Sequence, residues 1–243
     1  MLSANMLNYY VAFQILGVVI LLWLLNRTLY YIYEHTLEPI VFPRIMKTFA
    51  RVYNSRMDRV KRQLFSDLSN LKKAVGSQLT ILEIGAGTGA NFKYYPDGTS
   101  VIPLEPMDNF GSYLKDNAKE FPNLTVEKLV VAFGEDMKDI PSESVDAVVT
   151  TLVLCSVKEV TSVHGKYYFL EHVGGEKYSV GKFIQHLVQV PWAFLLGNCI
   201  LTRNIQQSIE EMGFSSMNCQ QIVAPLPLPL YPMLPHVVGF AVK

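Results

Sequence analysis

Charge is scarce in this sequence, and its two signs cancel. Charged residues make up 17% of the 243 positions, against about 25% in an ordinary soluble domain. Hydrophobic residues make up 50%, the reverse of the composition that keeps a chain disordered. Lys+Arg and Asp+Glu are equal at 21 each, so the chain as a whole lacks the basic excess of a nucleic-acid binder. Only three cysteines are present, Cys155, Cys199 and Cys219, too few and too odd in number for a disulfide scaffold. They do not stand at metal-ligand spacing, and the five histidines form no cluster along the sequence, so no metal site is expected. Long runs free of both charge and proline are also scarce. Residues 1–26 form the only one, which excludes a multi-span transporter.

That single run is informative. Its apolar core, Tyr9–Leu25, is 17 residues, the short end for a bilayer-spanning helix. Tyr9, Tyr10 and Trp23 lie near its ends, where amphipathic rings favour the interface. No basic stretch precedes it and no small-residue cleavage motif follows Leu25, so it reads as a retained anchor rather than a cleaved signal. Residues 1–62 carry eight basic and three acidic groups, a net of +5. Because the basic groups follow the anchor, the body is expected on the cytosolic side. Leu29–Val41 is fairly apolar and is expected along the interface, with the cations of Arg44–Arg62 near anionic head groups. The expected organisation is a membrane anchor over 1–28, an interfacial basic linker over 29–56 and a globular domain over 57–243.

In the body, Met57, Val60, Leu64, Leu68, Leu71 and Val75 recur at helical spacing, and Gly76 is a plausible cap. Strands are then expected at Leu79–Ile84, Ser100–Glu105, Leu124–Ala132, Val145–Leu152, Tyr167–His172, Met217–Val223 and Val237–Val242. Helices are expected at Phe110–Glu120 and, capped by Thr202, at Ile205–Met212. This alternation predicts an α/β fold, a doubly wound, mostly parallel Rossmann-like sheet. The segment Pro225–Pro235 reads as a stiff loop.

The chemistry concentrates after the first strand, at Glu83-Ile84-Gly85-Ala86-Gly87-Thr88-Gly89. Glycines at 85, 87 and 89 allow a tight turn and close approach of a ligand. Gly85, Gly87 and Ala90 also fit a dinucleotide fingerprint. Glu83, however, sets a carboxylate before the loop, where it reaches an ammonium group and repels a pyrophosphate. Glu105 ends the second strand, where an acid accepts from both ribose hydroxyls. A cationic amine with an adenosine ribose matches S-adenosylmethionine. A nicotinamide-dependent dehydrogenase is disfavoured by Glu83.

Leu82–Asn91, Leu104-Glu105-Pro106, Gly134-Glu135-Asp136-Met137, Val145–Val149 and Thr151–Val157 together resemble a class I methyltransferase. More narrowly, with Glu171-His172-Val173, Cys199, Leu201-Thr202-Arg203 and Pro235-His236, they resemble the methyltransferase-like 7 family of membrane-anchored thiol S-methyltransferases. The resemblance covers roughly residues 60–243. It implies a cytosol-facing enzyme of the endoplasmic reticulum and lipid droplets that methylates small apolar thiols. It also implies that Gly85, Gly87 and Gly89 lie under the methionine moiety and that Glu105 holds the ribose. Glu135 and Asp136 would flank the adenine, with Leu152 and Cys155 near the transferred methyl.

Two departures stand out. The family usually has aspartate where this chain has Glu105. Between Val157 and Tyr167 lie only residues 158–166, whereas a parallel crossover with its helix needs about 10–12. The alternative reading is therefore an anchored methyltransferase-fold protein without turnover, acting in lipid-droplet or partner binding. For a thiol acceptor a strong base is optional, since a free thiol with a pKa near 8.5 is already ionised to a few per cent at pH 7. His172 is the candidate catalytic helper. Phe183–Leu196 and the proline-rich segment are apolar enough to line a substrate pocket or to pack on a membrane. Membrane lipids and a small apolar thiol are the expected partners, with no nucleic acid and no metal.

Overall fold

The computed structural model describes residues 4–141, 144–157 and 165–243. The chain divides into two units, Met1–Val41 and Phe42–Lys243. In the first, α1 spans Ala4–Ile32 and a wider π segment continues over Tyr33–Val41. Pro39 lies inside that segment, and its missing N–H favours a local departure from α-type bonding. The side chains of α1 are exposed from Phe13 to Ile32. Among the described residues one helix, beginning in this unit, is long and apolar enough to cross a membrane.

The second unit opens with α2 (Phe42–Phe65) and α3 (Leu68–Val75). The expected 56/57 boundary falls inside α2, whose Tyr53 and Met57 are both buried. The single helix expected over 57–75 is broken at Ser66–Asp67. There the Asp67 carboxylate accepts from the Tyr168 hydroxyl at 2.7 Å and pairs with Lys166. Gly76 caps α3 in the left-handed region, as the sequence suggests.

Seven strands follow: β1 (Thr80–Ile84), β2 (Ser100–Leu104), β3 (Thr125–Val126), β4 (Ala147–Thr151), β5 (Lys166–His172), β6 (Ser216–Val223) and β7 (Pro235–Val242). They form one sheet in the order β3-β2-β1-β4-β5-β7-β6. β1 to β5 pair in parallel, and β7 runs antiparallel to both β5 and β6. The strand expected over 124–132 shrinks to β3. Past it only a single bridge, Leu104 to Val130, continues the pairing, as befits an edge with one neighbour.

Side chains alternate between two cores, as the pleat requires. Ile81, Val149, Tyr168 and Leu170 join Tyr53, Met57, Phe65 and Leu68 on one face. Leu82, Val148, Tyr167 and Phe169 join Ile205 and Ile209 on the other. The remaining helices are α4 (Gly111–Ala118), α5 (Val180–Leu195) and α6 (Ile205–Glu210). Asn204, not Thr202, caps α6. Its side chain accepts from the Gln207 N–H at 3.3 Å, a reach that the expected cap two residues earlier does not have. The proline-rich stretch holds a 3-10 turn, Leu228–Met233. β4 and β5 are adjacent and parallel. Residues 158–164 of the expected short crossover lie outside the described residues.

Candidate active site

The C-terminal ends of β1, β2, β4 and β5 meet at a cavity of about 220 Å³. Crevices outside these strand ends are where doubly wound sheets bind ligands. Glu83, Gly85, Gly87, Glu105, Leu152 and His172 all line it. Gly89, Glu135 and Asp136 are not in that lining. Asp136 is exposed and pairs with Lys138. Gly89 instead faces Phe92, whose ring lies 2.5 Å from where a Cβ would stand.

The two remaining glycines of the loop serve different needs. At Gly85 (φ +67°) a Cβ would come within 2.5 Å of Val153 Cγ2. At Gly87 (φ +52°) the nearest atom would be 3.9 Å away, so its missing side chain leaves room for a ligand. The Gly85 N–H is anchored on the Leu104 carbonyl at 2.8 Å, which ties the loop to the end of β2. Glu105 follows directly. It is 7% exposed, and its two oxygens accept from the Gly87 N–H at 3.2 Å and the Met107 N–H at 3.3 Å. Burial pushes its pKa up to about 7, with those N–H donors pulling the other way.

Below the loop lies a buried relay that the sequence did not announce. Lys61, reaching in from α2, donates to Asn91 Oδ1 at 2.7 Å. Asn91 Nδ2 donates to Glu83 Oε1 at 2.8 Å and to Thr151 Oγ1 at 3.1 Å. Burial drives both Lys61 and Glu83 toward neutrality, and their mutual attraction opposes it. Glu83 Oε2 makes no hydrogen bond of good geometry among the described residues, although the nearby Tyr95 hydroxyl helps to hold its pKa down. A buried acceptor left open on a cavity wall suits a ligand cation. These are groups that could hold S-adenosylmethionine: carboxyl groups at Glu83 and Glu105 and an amine at Lys61.

The turn after β4 also lines the cavity. Leu152 sits at φ +57°, an uncommon conformation for a branched side chain. The structure holds it there. The Leu152 N–H donates to the Leu170 carbonyl at 3.1 Å, and the Val153 and Leu154 N–H groups donate to Glu171 Oε2 at 3.0 and 3.2 Å. Arg203 Nη1 donates to the Leu154 carbonyl at 2.6 Å and to that of Val157. Glu171 and Arg203 stand in the motifs quoted above, but their spacing gave no sign of this bracing role.

At the end of β5, His172 is fully buried. Its Nε2 lies 3.2 Å from Cys199 Sγ, and Nδ1 has no hydrogen-bond partner among the described residues. Cys155, His172 and Cys199 bring their ligand atoms within 4.8 Å of one another, all at the cavity. The histidines do not cluster in sequence, yet one of them joins two cysteines in space. The cysteine-histidine separations of 17 and 27 residues hide this from any local motif.

α5 has two faces. Trp192 and, just past the helix, Leu196 line the cavity. Val180, Phe183, Leu187, Val190 and Phe194 recur at helical spacing and are exposed.

A family profile described as a methyltransferase domain matches residues 82–168. The chain is 41% identical over 212 residues to human thiol S-methyltransferase TMT1A, covering 83% of this chain and 86% of that protein. It is 37% identical over 213 residues to human thiol S-methyltransferase TMT1B, with the same coverage. Among solved structures, the [4+2]-cyclase SpnF superposes with a TM-score of 0.51 at 12% identity, covering 74% of this chain and 80% of that one. At that identity the likeness is one of fold.

Proposed function

The chain belongs to the family of the thiol S-methyltransferases TMT1A and TMT1B, and on that premise we propose that it S-methylates small apolar thiols at a membrane surface. It is an S-adenosylmethionine-dependent methyltransferase. Bound in the cavity, that cofactor supplies an electrophilic methyl on a sulfonium.

The observation that carries the reading is the mixed lining of the cavity, which brings Glu83, Glu105 and Lys61 together with apolar Leu152, Trp192, Leu196 and Met233. Glu105 would accept from the ribose hydroxyls and Glu83 from the ammonium, and Lys61 would donate to the carboxylate. The apolar part of the lining excludes water and seats a hydrophobic acceptor. Loss of opposite charges in the transition state is favoured in such a dry site. His172 is the imidazole in the cavity lining that can take the thiol proton.

The membrane location is supported by the charge-free run of residues 1–26 and by the exposed apolar stripe on α5. Residues 1–28 serve as the anchor, the basic groups that follow favour a cytosolic body, and the membrane is that of the endoplasmic reticulum or lipid droplets. An interfacial site draws on dissolved lipophilic compounds, which favours apolar thiols over glutathione.

The test is a panel of thiol, phenol and amine acceptors with isotope-labelled methyl donor. Thiols should be turned over and the others should not, because a thiol ionises readily and is intrinsically the better nucleophile. Equal turnover of a phenol or amine, or none of any acceptor, overturns the reading.

A further inference from the structure

We propose that Cys155 Sγ, His172 Nε2 and Cys199 Sγ form a zinc site whose fourth position opens to the cavity and takes the sulfur of the acceptor; the last clause rests on the thiol reading above. The donor set comes from three separate elements. Cys155 lies in the turn after β4, His172 ends β5 and Cys199 follows α5. The two cysteine loops are pinned together, the Ile200 N–H donating to the Cys155 carbonyl at 3.1 Å. The Cys199 carbonyl is further held by Gln189 Nε2 at 3.0 Å.

The geometry fits the ion. Tetrahedral zinc, with bonds of about 2.3 Å to sulfur and 2.0–2.1 Å to nitrogen, sets its ligand atoms about 3.5–3.8 Å apart. Here His172 Nε2 and Cys199 Sγ are 3.2 Å apart, and no two of the three ligand atoms exceed 4.8 Å. The chemistry fits as well. Two soft thiolates and an imidazole select zinc over calcium or magnesium. Three protein ligands with one open position is the catalytic rather than the structural arrangement. All three side chains are fully or almost fully buried, and a doubly charged cation between two thiolates leaves no net charge to bury.

On loading, each cysteine loses its thiol proton to solvent as two S–Zn bonds and one N–Zn bond form. The acceptor then displaces the water in the fourth position. Its S–H bond breaks, the proton leaves with that water, and an S–Zn bond forms. Nothing is oxidised or reduced. A coordinated thiol is deprotonated outright, so with zinc bound His172 is a ligand and replaces the proton-accepting role it would have in a metal-free cavity.

The experiment uses the full chain in detergent, purified without chelator or a histidine-rich tag. Elemental analysis should find one zinc per chain. Cys155→Ser and Cys199→Ser should each lower zinc retention after dialysis by about tenfold or more. Both variants should still show a thermal shift with S-adenosylmethionine, which sets aside unfolding. Cobalt(II) added alone to chelator-stripped protein should give a thiolate-to-metal absorption band that changes when 2-mercaptoethanol is added. Zinc no higher than in the Cys155→Ser/Cys199→Ser double variant overturns the proposal, as does a Cys155–Cys199 disulfide in the purified chain or copper in place of zinc. Methylation of thiols by metal-free protein overturns the zinc site and leaves the function standing. One zinc per chain with no thiol turnover overturns the function and leaves the metal site.

Discussion

Glu105→Gln should weaken S-adenosylmethionine binding by roughly 10- to 150-fold while leaving the domain folded. Both oxygens of Glu105 already accept backbone N–H groups, at 3.2 and 3.3 Å. Those bonds are long and leave acceptor capacity for two hydroxyls. A hydrogen bond to a charged acceptor contributes about 1.5–3 kcal/mol, which converts to the stated range in affinity. The pH dependence sharpens the test. Burial holds the carboxyl at about 7 in the folded protein, above its ordinary value near 4.3. The neutral form is therefore the one the free fold prefers. Its stabilising contribution is full below pH ~4.3 and is lost as pH rises through 7, up to about 3 kcal/mol. The ligand, by contrast, wants the carboxylate, so affinity should fall below pH 7 by up to about tenfold per unit. Glutamine has no such titration. Calorimetry at pH 6, 7 and 8, with melting temperatures of the free protein over the same range, reads both effects. Equal affinity of the variant at pH 8, or the same pH slope in both proteins, would remove Glu105 from the site.

Gly85→Ala should destabilise the fold by about 2–5 kcal/mol, since its Cβ would meet Val153 at 2.5 Å in a left-handed conformation. Gly87→Ala should cost only about 1–2 kcal/mol but lose cofactor affinity; equal melting temperatures for the two variants would refute that contrast. Lys61→Met leaves Glu83 uncompensated and should cost on the order of 3 kcal/mol in urea unfolding at pH 8. Adding Glu83→Gln should recover most of it, and strict additivity of the two changes would show that the relay is not coupled. Deleting residues 1–28 should convert permanent membrane attachment into reversible binding that depends on lipid amount. Phe183→Glu/Leu187→Glu should then abolish it, and a truncated chain that resists extraction despite both substitutions would place the attachment elsewhere.

What the sequence discloses about this protein follows how local the cause is. The glycine loop, Glu83 and Glu105 are set by a strand, a turn and the next strand, so a spacing of about 20 residues was enough to pair them. Cap and break signals behaved less evenly. Gly76 ends α3 as its missing side chain suggests, but the break at Ser66–Asp67 depends on Lys166 and Tyr168, a hundred residues away. The third strand was overcalled because alternating apolar residues cannot reveal that the sheet ends there, leaving Thr125–Val126 only one neighbour. The antiparallel pairing of β6 and β7 likewise gives no local signal.

The part of the cavity built away from the glycine loop shows the limit most clearly. Lys61 reads as one of many cations in a basic stretch, yet it is 1% exposed and hydrogen-bonded at the base of the cavity. Cys155, His172 and Cys199 belong to three elements whose order along the chain is unrelated to their meeting point. A loop that grips a common cofactor can be written in consecutive residues, because the strand-turn geometry does the positioning. An acceptor site is assembled from whatever the strand ends and covering helix bring together, so it can change by single substitutions on separate elements without disturbing the loop. The residues that decide which sulfur is methylated are therefore to be sought on β5, in the turn after β4 and on the inner face of α5, not in the glycine motif that identifies the fold.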